Sequence, residues 1–240
     1  GRAFATNIVP SDAFRGFGAP QALFAIEMHM DHLAAESGSE SIEYKARYFQ
    51  KKGDRTETGG TIYDEVLLGE MLERIEARSG YSLKRKSLPK GEGIGVSIFS
   101  HGCGFTGSGE QDIIKGRVTL EKSADGVVRI GAAGVDMGQG LLTTFKKVVA
   151  GVLDLPLSKI VYERPDTDQV PNSGPTCASR SIMVVGYLLQ EAAKRLKADW
   201  RKGEDQKISQ DYTHPEHLKW DQATLTGDAY PTYGWGINVI

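Results

Sequence analysis

The segment PKGEGIG, Pro89 to Gly95, divides the chain between two kinds of apolar periodicity, and that change limits what it can fold into more than any other feature. Before it, apolar residues recur at three- and four-residue spacing, the period of a helix with one buried face. PQALFAIEMHMDHLAA, from Pro20 to about Ala35, predicts a helix, and Pro20 suits its first turn because its missing donor would be unpaired there anyway. SIEYKARYFQK predicts a second helix, and TIYDEVLLGEMLERIEARSG a third, closed by Gly80. After the segment, Val118 and Leu120 alternate with polar residues, and Asp125-Gly126 stands between two such runs as a two-residue hairpin turn would. A helix in QGLLTTFKKVVAGVLDL, a strand in KIVYERP and a long helix from about Ser179 to Trp200 follow. After about Lys202 the signal fades, and HPEHLKWDQATLTGDAYPTY, from His214 to Tyr233, is expected to be an extended loop with one strand. Strand pairs alternating with helices give an α+β class: a helix-rich N-terminal part, 1–90, then a mixed strand and helix part, 91–240.

Charge narrows the partners. Against 31 acidic side chains stand 29 basic ones, a net charge of −2, so there is no basic field to hold nucleic acid or an anionic membrane. The longest apolar run, Ile182 to Leu189, is far shorter than the ~20 residues of a membrane span. Cys103 and Cys177 can form at most one bridge and lack the repeated close spacing of a zinc or cluster site, so a cytoplasmic setting is expected. The start at GRAFATN and the stop in the strand-like YGWGINVI are read as the ends of a fragment.

Three helices are preceded by loops rich in glycine or hydroxyl groups: FRGFGAP, GVDMGQG (Gly134 to Gly140) and PNSGPTCASRS (Pro171 to Ser181). A helix start presents unpaired N–H groups at the positive end of its dipole, so each can hold an anionic or strongly hydrogen-bonding ligand. Each also has a plain reading. Gly138 and Gly140 suit a turn, Ser173, Thr176, Ser179 and Ser181 suit caps, and Arg15 suits an ion pair with a carboxylate. Gln139 between two glycines, and Cys177-Ala178-Ser179 at a neck of small residues, would suit a large cofactor with many hydrogen bonds. His29 and His32, like His214 and His217, lie three apart without a third ligand and are read as solvated or capping. HGCGFTGSGE, His101 to Glu110, is read as a glycine-rich hairpin or ligand loop rather than a Cys-His pair.

AFRGFGAPQ, DMGQGLLTTF and VPNSGPTCASRS, in that order, resemble the molybdenum hydroxylases, the family of xanthine dehydrogenase and aldehyde oxidase. The likeness covers most of residues 4–200. It implies that 1–90 ends one molybdopterin-binding subdomain and 91–240 begins the next. It places the backbone of Arg15, with Gly16, and Ala178 beside molybdenum, and Phe17 and Phe99 against a planar substrate. Met137, Gly138, Gln139 and Gly140, with Cys177, Ala178, Ser179 and Ser181, would hold the pterin, which a bacterial source would carry as the cytosine dinucleotide.

The resemblance further implies hydroxylation of a purine, N-heterocycle or aldehyde with oxygen from water, with iron-sulfur clusters and FAD in partner domains or subunits of an oligomer. The family's glutamate base is expected downstream of Ile240. Glu70, Glu92 and Glu110 each follow a glycine but precede Met137, in the wrong order. The 240 residues alone are therefore expected to be inactive. The alternatives are a non-catalytic subunit or cofactor-handling protein that keeps the pterin loops, and a generic nucleotide-binding module.

Overall fold

A computed structural model describes residues 4–9, 14–104 and 107–240. In chain order its regular elements are α1 (Ala19–Glu36), α2 (Ser41–Ala46), α3 (Leu68–Ser79), α4 (Tyr81–Ser87), β1 (Val96–Cys103), β2 (Arg117–Lys122), β3 (Val128–Gly131), α5 (Leu141–Leu153), β4 (Ile160–Val161), α6 (Tyr187–Ala198), β5 (Gln206–Asp211), β6 (Trp220–Asp221), β7 (Thr226–Gly227) and β8 (Thr232–Val239). Wider π-helical turns at Gly109–Ile114 and Ser181–Gly186 precede β2 and α6. The class is α+β, as the alternation of periodicities predicts.

The chain forms two compact units. The first comprises residues 1–52, 65–101 and 234–240. Ile42, Tyr81 and Val96 are its buried apolar centre, with Leu72, Ile98, Ile237 and Val239 packed around them. Glu27 and Asp31, four apart on α1, share one face, and between them lies the Lys45 ammonium of α2, 3.0 and 2.8 Å away. Glu27 also accepts the Ile98 amide at 2.8 Å, so one carboxylate ties helix to strand.

The helices here depart from expectation at their ends. The second stops at Ala46 because its last turn tightens, with Arg47 N and Tyr48 N donating to carbonyls only three residues back. The third starts at Leu68, not near Thr61, because Thr61 N donates to the Asp228 carboxylate and Ile62 N to the Asp54 carbonyl. Gly80 closes it in the left-handed region at φ 61°, as expected, and α4 follows at once over YSLKRKS, which carries no helical apolar stripe.

The second unit comprises residues 53–64 and 102–233. Its sheet has the order β4-β3-β2-β5. β2 and β3 are antiparallel, with Lys122 opposite Val128, but residues 123–127 connect them instead of a two-residue turn: Gly126 N donates to Ser123 O, Ser123 N to Val127 O, and Gly126 at φ 82° supplies the left-handed residue of this wider loop. β4 lies parallel to β3, and α5 makes the crossover between them. Leu141, Phe145, Val149 and Leu153 recur every four residues on α5, so one stripe packs with Leu188, Leu189, Ala192, Ala193 and Leu196 of α6 on the sheet residues Val118, Leu120, Val128 and Ile130. The KIVYERP strand shrinks to two residues because only Ile160 and Val161 find partners on β3. β5 has no alternating apolar signal, since its QKISQD sequence is polar, and six consecutive pairings with β2 hold it in the sheet. Among the described residues no helix is long and apolar enough to cross a membrane.

Candidate functional site

In the first unit the FRGFGAP loop turns into α1 through Phe17 N to Phe14 O (2.7 Å) and Ala19 N to Gly16 O (2.9 Å). Gly16 has φ 100°, and a Cβ there would stand 2.7 Å from the Pro20 ring, so the turn requires glycine. Arg15 makes no ion pair with another of the described residues. Phe17 is 82% exposed at a left-handed φ of 50°. Phe99, on β1, lies against Gly236 of β8, where an added Cβ would stand 2.4 Å from its ring. Ala13 of the quoted motif, and Phe105 and Thr106 of the His101–Glu110 loop, lie outside the described residues.

In the second unit the Gly134–Gly140 loop and the Pro171–Ser181 loop lie side by side and are stitched by hydroxyl groups. Ser173, fully buried, accepts the Ala133 amide at 2.8 Å and donates to the Arg117 carbonyl at 2.8 Å. Thr176 accepts the Val135 amide at 2.8 Å. Both hydroxyls therefore join loop to loop rather than capping a helix.

The entrance to α5 already holds an anion. The Asp136 carboxylate accepts from Gly138 N (2.9 Å), Gly140 N (3.3 Å) and Leu142 N (3.1 Å). These bonds hold its carboxyl below the usual carboxylate range. A further anion at this helix start would be repelled. The sequence signal for Asp136 is that of a capping residue, an aspartate shortly before an apolar helix. Gln139 spends its side chain within its own loop, donating to Val135 O (2.7 Å) and accepting from Met137 N (2.6 Å).

The tip of the second loop is different. Cys177, Ala178 and Ser179 are exposed, and Ala178 and Ser179 both adopt left-handed backbone, φ 51° and 59°. Such conformations are strained for residues with a Cβ and concentrate at functional sites. The amides of Gln139, Cys177, Ala178 and Ser179, and the hydroxyls of Ser179 and Ser181, donate to nothing among the described residues. What the fold leaves on these two adjoining loops is thus a set of outward donors without a charged side chain, suited to a polar, many-centred ligand.

Other candidates are not drawn in. Glu110 is buried against Arg180, Cys103 and Cys177 form no disulfide, and the described residues hold no cluster of three metal-ligating side chains. His214 faces the Leu218 carbonyl and His217 packs edge-on against Tyr63.

The family model of the molybdopterin cofactor-binding domain matches residues 70–237, and a second model of the same description matches residues 1–49. The chain is 30% identical over 260 residues to the aldehyde oxidoreductase of Megalodesulfovibrio gigas, covering 99% of this chain and 28% of that protein. It is also 30% identical over 202 residues to the xanthine dehydrogenase of Oryza sativa subsp. japonica, covering 80% of this chain and 14% of that one. The solved aldehyde oxidoreductase of Desulfovibrio gigas superposes with a TM-score of 0.81 and 26% identity, over 95% of this chain and 27% of its own. The chain thus spans under a third of the length of each of these relatives. With 168 consecutive residues matched by one family model, and the two loops it would use joined by Ser173 and Thr176, this chain belongs to the molybdopterin cofactor-binding domain family.

Proposed function

We propose that the chain supplies part of the molybdopterin-binding catalytic portion of a xanthine dehydrogenase-like or aldehyde oxidoreductase-like enzyme. The observation that carries this reading is the pair of hydroxyl-stitched loops, with donors on Gln139 and on Cys177 to Ser181 that bond to no other described residue. The donor set fits a pterin: neutral amides and hydroxyls match the edge of a heterocycle, and their multiplicity suits a large cofactor better than a single ion. Met137, Gly138, Gln139 and Gly140 form one wall and Cys177, Ala178, Ser179 and Ser181 the other. Arg15 and Gly16, and separately Ala178, are the residues the family resemblance assigns to the metal's border through their backbone.

When bound, the group supplies a metal centre that activates water-derived oxygen and accepts electrons from the substrate. The chain's own task is orientation. The rigid loops fix the pterin plane, and Phe17, exposed and held by its turn, offers an apolar face for a purine, N-heterocycle or aromatic aldehyde. Phe99 is the second candidate for that stacking. In this reading residues 1–90 close one subdomain and 91–240 open the next. Iron-sulfur and FAD partners take the electrons onward, and the enzyme works as a cytoplasmic oligomer.

Of the glutamates that follow a glycine, Glu110 is committed to Arg180 and Glu204 pairs with Arg201 in the turn before β5, while Glu70 and Glu92 stand in α3 and in the loop before β1. In this reading none of them is the general base, and the 240 residues alone should not turn over. The test is to produce the chain together with its iron-sulfur and flavin partners in molybdate-supplied cells, measure molybdenum and pterin, and assay xanthine, an N-heterocycle and an aromatic aldehyde in ¹⁸O-labelled water. Near-stoichiometric pterin with labelled product supports the reading; molybdenum-replete preparations without pterin overturn it.

A further inference from the structure

Arg180 and Glu110 have no place in the donor set, yet they form the most deeply buried ion pair described. The Arg180 side chain is 0% exposed and that of Glu110 6%. The pairing is bidentate: Arg180 Nε donates to Glu110 Oε1, and Nη2 to Oε2 at 3.0 Å. The remaining arm, Nη1, donates to the Pro175 carbonyl at 2.9 Å. Gly174 takes φ 82°, and a Cβ there would stand 2.8 Å from Nη2 and 2.9 Å from Cζ, so the loop backbone rests directly on the guanidinium.

The same residue also closes the loop through its main chain, because Arg180 N donates to the Cys177 carbonyl at 3.0 Å. On the far side Gly104 N donates to the Ala178 carbonyl at 2.8 Å. Residues 175–180 are thus a hoop. Its base is Arg180, and its crown carries the left-handed Ala178 and Ser179.

Stability alone does not account for such a pair. Taking two charges out of water costs about as much as their attraction returns, and an apolar pair of the same volume is usually as stable or more so. What a guanidinium-carboxylate fork supplies beyond an apolar contact is direction: a rigid plane with donors at fixed angles. We propose that Arg180 and Glu110 are positioning residues for the cofactor, fixing the hoop so that the amides of Cys177, Ala178 and Ser179 all face the ligand. This rests on the molybdopterin reading above and adds to it a specific pair on which cofactor retention depends.

The experiment uses the protein assembled with its partners and two variants, the apolar double replacement Arg180→Met with Glu110→Leu, and Arg180→Lys, which keeps the charge but loses the fork. Three quantities are measured: melting temperature, pterin and molybdenum content, and hydrogen exchange of the Arg180 and Gly104 amides. The expected result is melting within a few degrees of the parent, exchange at both amides at least about tenfold faster, and cofactor content lowered at least about tenfold in the double variant, with Arg180→Lys between. A folded double variant with parental cofactor content overturns the proposal. Should the double variant fail to fold, Arg180→Lys decides: lost cofactor at unchanged melting supports positioning, and unchanged cofactor overturns it. Unfolding of both makes the pair a folding element and likewise overturns the proposal. A parent protein that holds no pterin sinks the molybdopterin reading instead, while the exchange measurement still reports whether the pair shapes the hoop.

Discussion

Ser173→Ala offers the sharpest test of how the two loops are held together. The Ser173 hydroxyl is fully buried and makes two bonds of 2.8 Å, donating to Arg117 O and accepting from Ala133 N. Alanine removes both and leaves the Ala133 amide without an acceptor beside a buried side chain. An orphaned buried donor costs about 1–3 kcal/mol, so a loss of about 2 kcal/mol is expected. For a chain of this size each kcal/mol lowers the melting temperature by about 2–4 °C, giving a fall of about 4–8 °C. Thr176→Val removes the parallel bond to Val135 N, but Val135 is 59% exposed and water can take the acceptor's place. That variant should lose less than about 0.5 kcal/mol. Urea unfolding of the two variants beside the parent gives both numbers, and hydrogen exchange at Ala133 locates the effect. Equal losses, or a loss below about 0.5 kcal/mol for Ser173→Ala, would refute the argument that burial rather than bond count sets the energy of this seam.

Phe145 is fully buried between α5 and Tyr162, and Phe145→Ala should cost about 3–5 kcal/mol, whereas Phe17→Ala at an 82% exposed position should stay within about 0.5 kcal/mol; matching melting temperatures would contradict the burial pattern. Asp136 is held below the usual carboxylate range, so its support of the α5 start is present above the unfolded value near about 3.9 and is lost as pH falls through the lower folded value. Amide exchange at Gly138, Gly140 and Leu142 should therefore become faster than acid alone explains at low pH, and Asp136→Asn should abolish that extra step. Burial pushes Tyr162 and Tyr212 up to about 12, so their contribution to stability is complete below the unfolded value near about 10 and is lost as pH rises toward about 12. Ultraviolet titration at pH 11 should leave at least these two of the nine tyrosines un-ionised until urea is added; full ionisation in the folded chain would refute it.

What sequence reasoning could see was set by interactions close along the chain. The α5 stripe at Leu141, Phe145, Val149 and Leu153, the left-handed Gly80 and the Asp125-Gly126 turn are written within a few residues of where they act. β5 is invisible on those terms, because Gln206 to Asp211 holds its strand through a main-chain ladder with β2, some 90 residues earlier. The late start of α3 has the same cause: the Thr61 amide is taken by Asp228, a partner 167 residues away. Propensity fixes a helix only until a distant acceptor outbids it.

The same distinction explains the loops, where glycine and hydroxyl content marked the segments but not the division of labour inside them. Ser173 and Thr176 look like Ser179 and Ser181 in sequence, yet the first two join loop to loop while the hydroxyls of the last two bond to no other described residue. The strain at the crown shows why that division matters. Left-handed backbone at Ala178 and Ser179 costs about 1–2 kcal/mol each, roughly 2–4 kcal/mol together. Against it stand three hydrogen bonds, from Gly104 N, Arg180 N and Arg180 Nη1, each contributing about 0.5–1.5 kcal/mol, or roughly 1.5–4.5 kcal/mol. The two sums balance without any ligand. The hoop can therefore stand ready before a cofactor arrives, and binding energy is not consumed in shaping it. Arg180, alone among small residues in CASRS, was the one visible sign of this arrangement, and its meaning depended on Glu110, which lies 70 residues earlier.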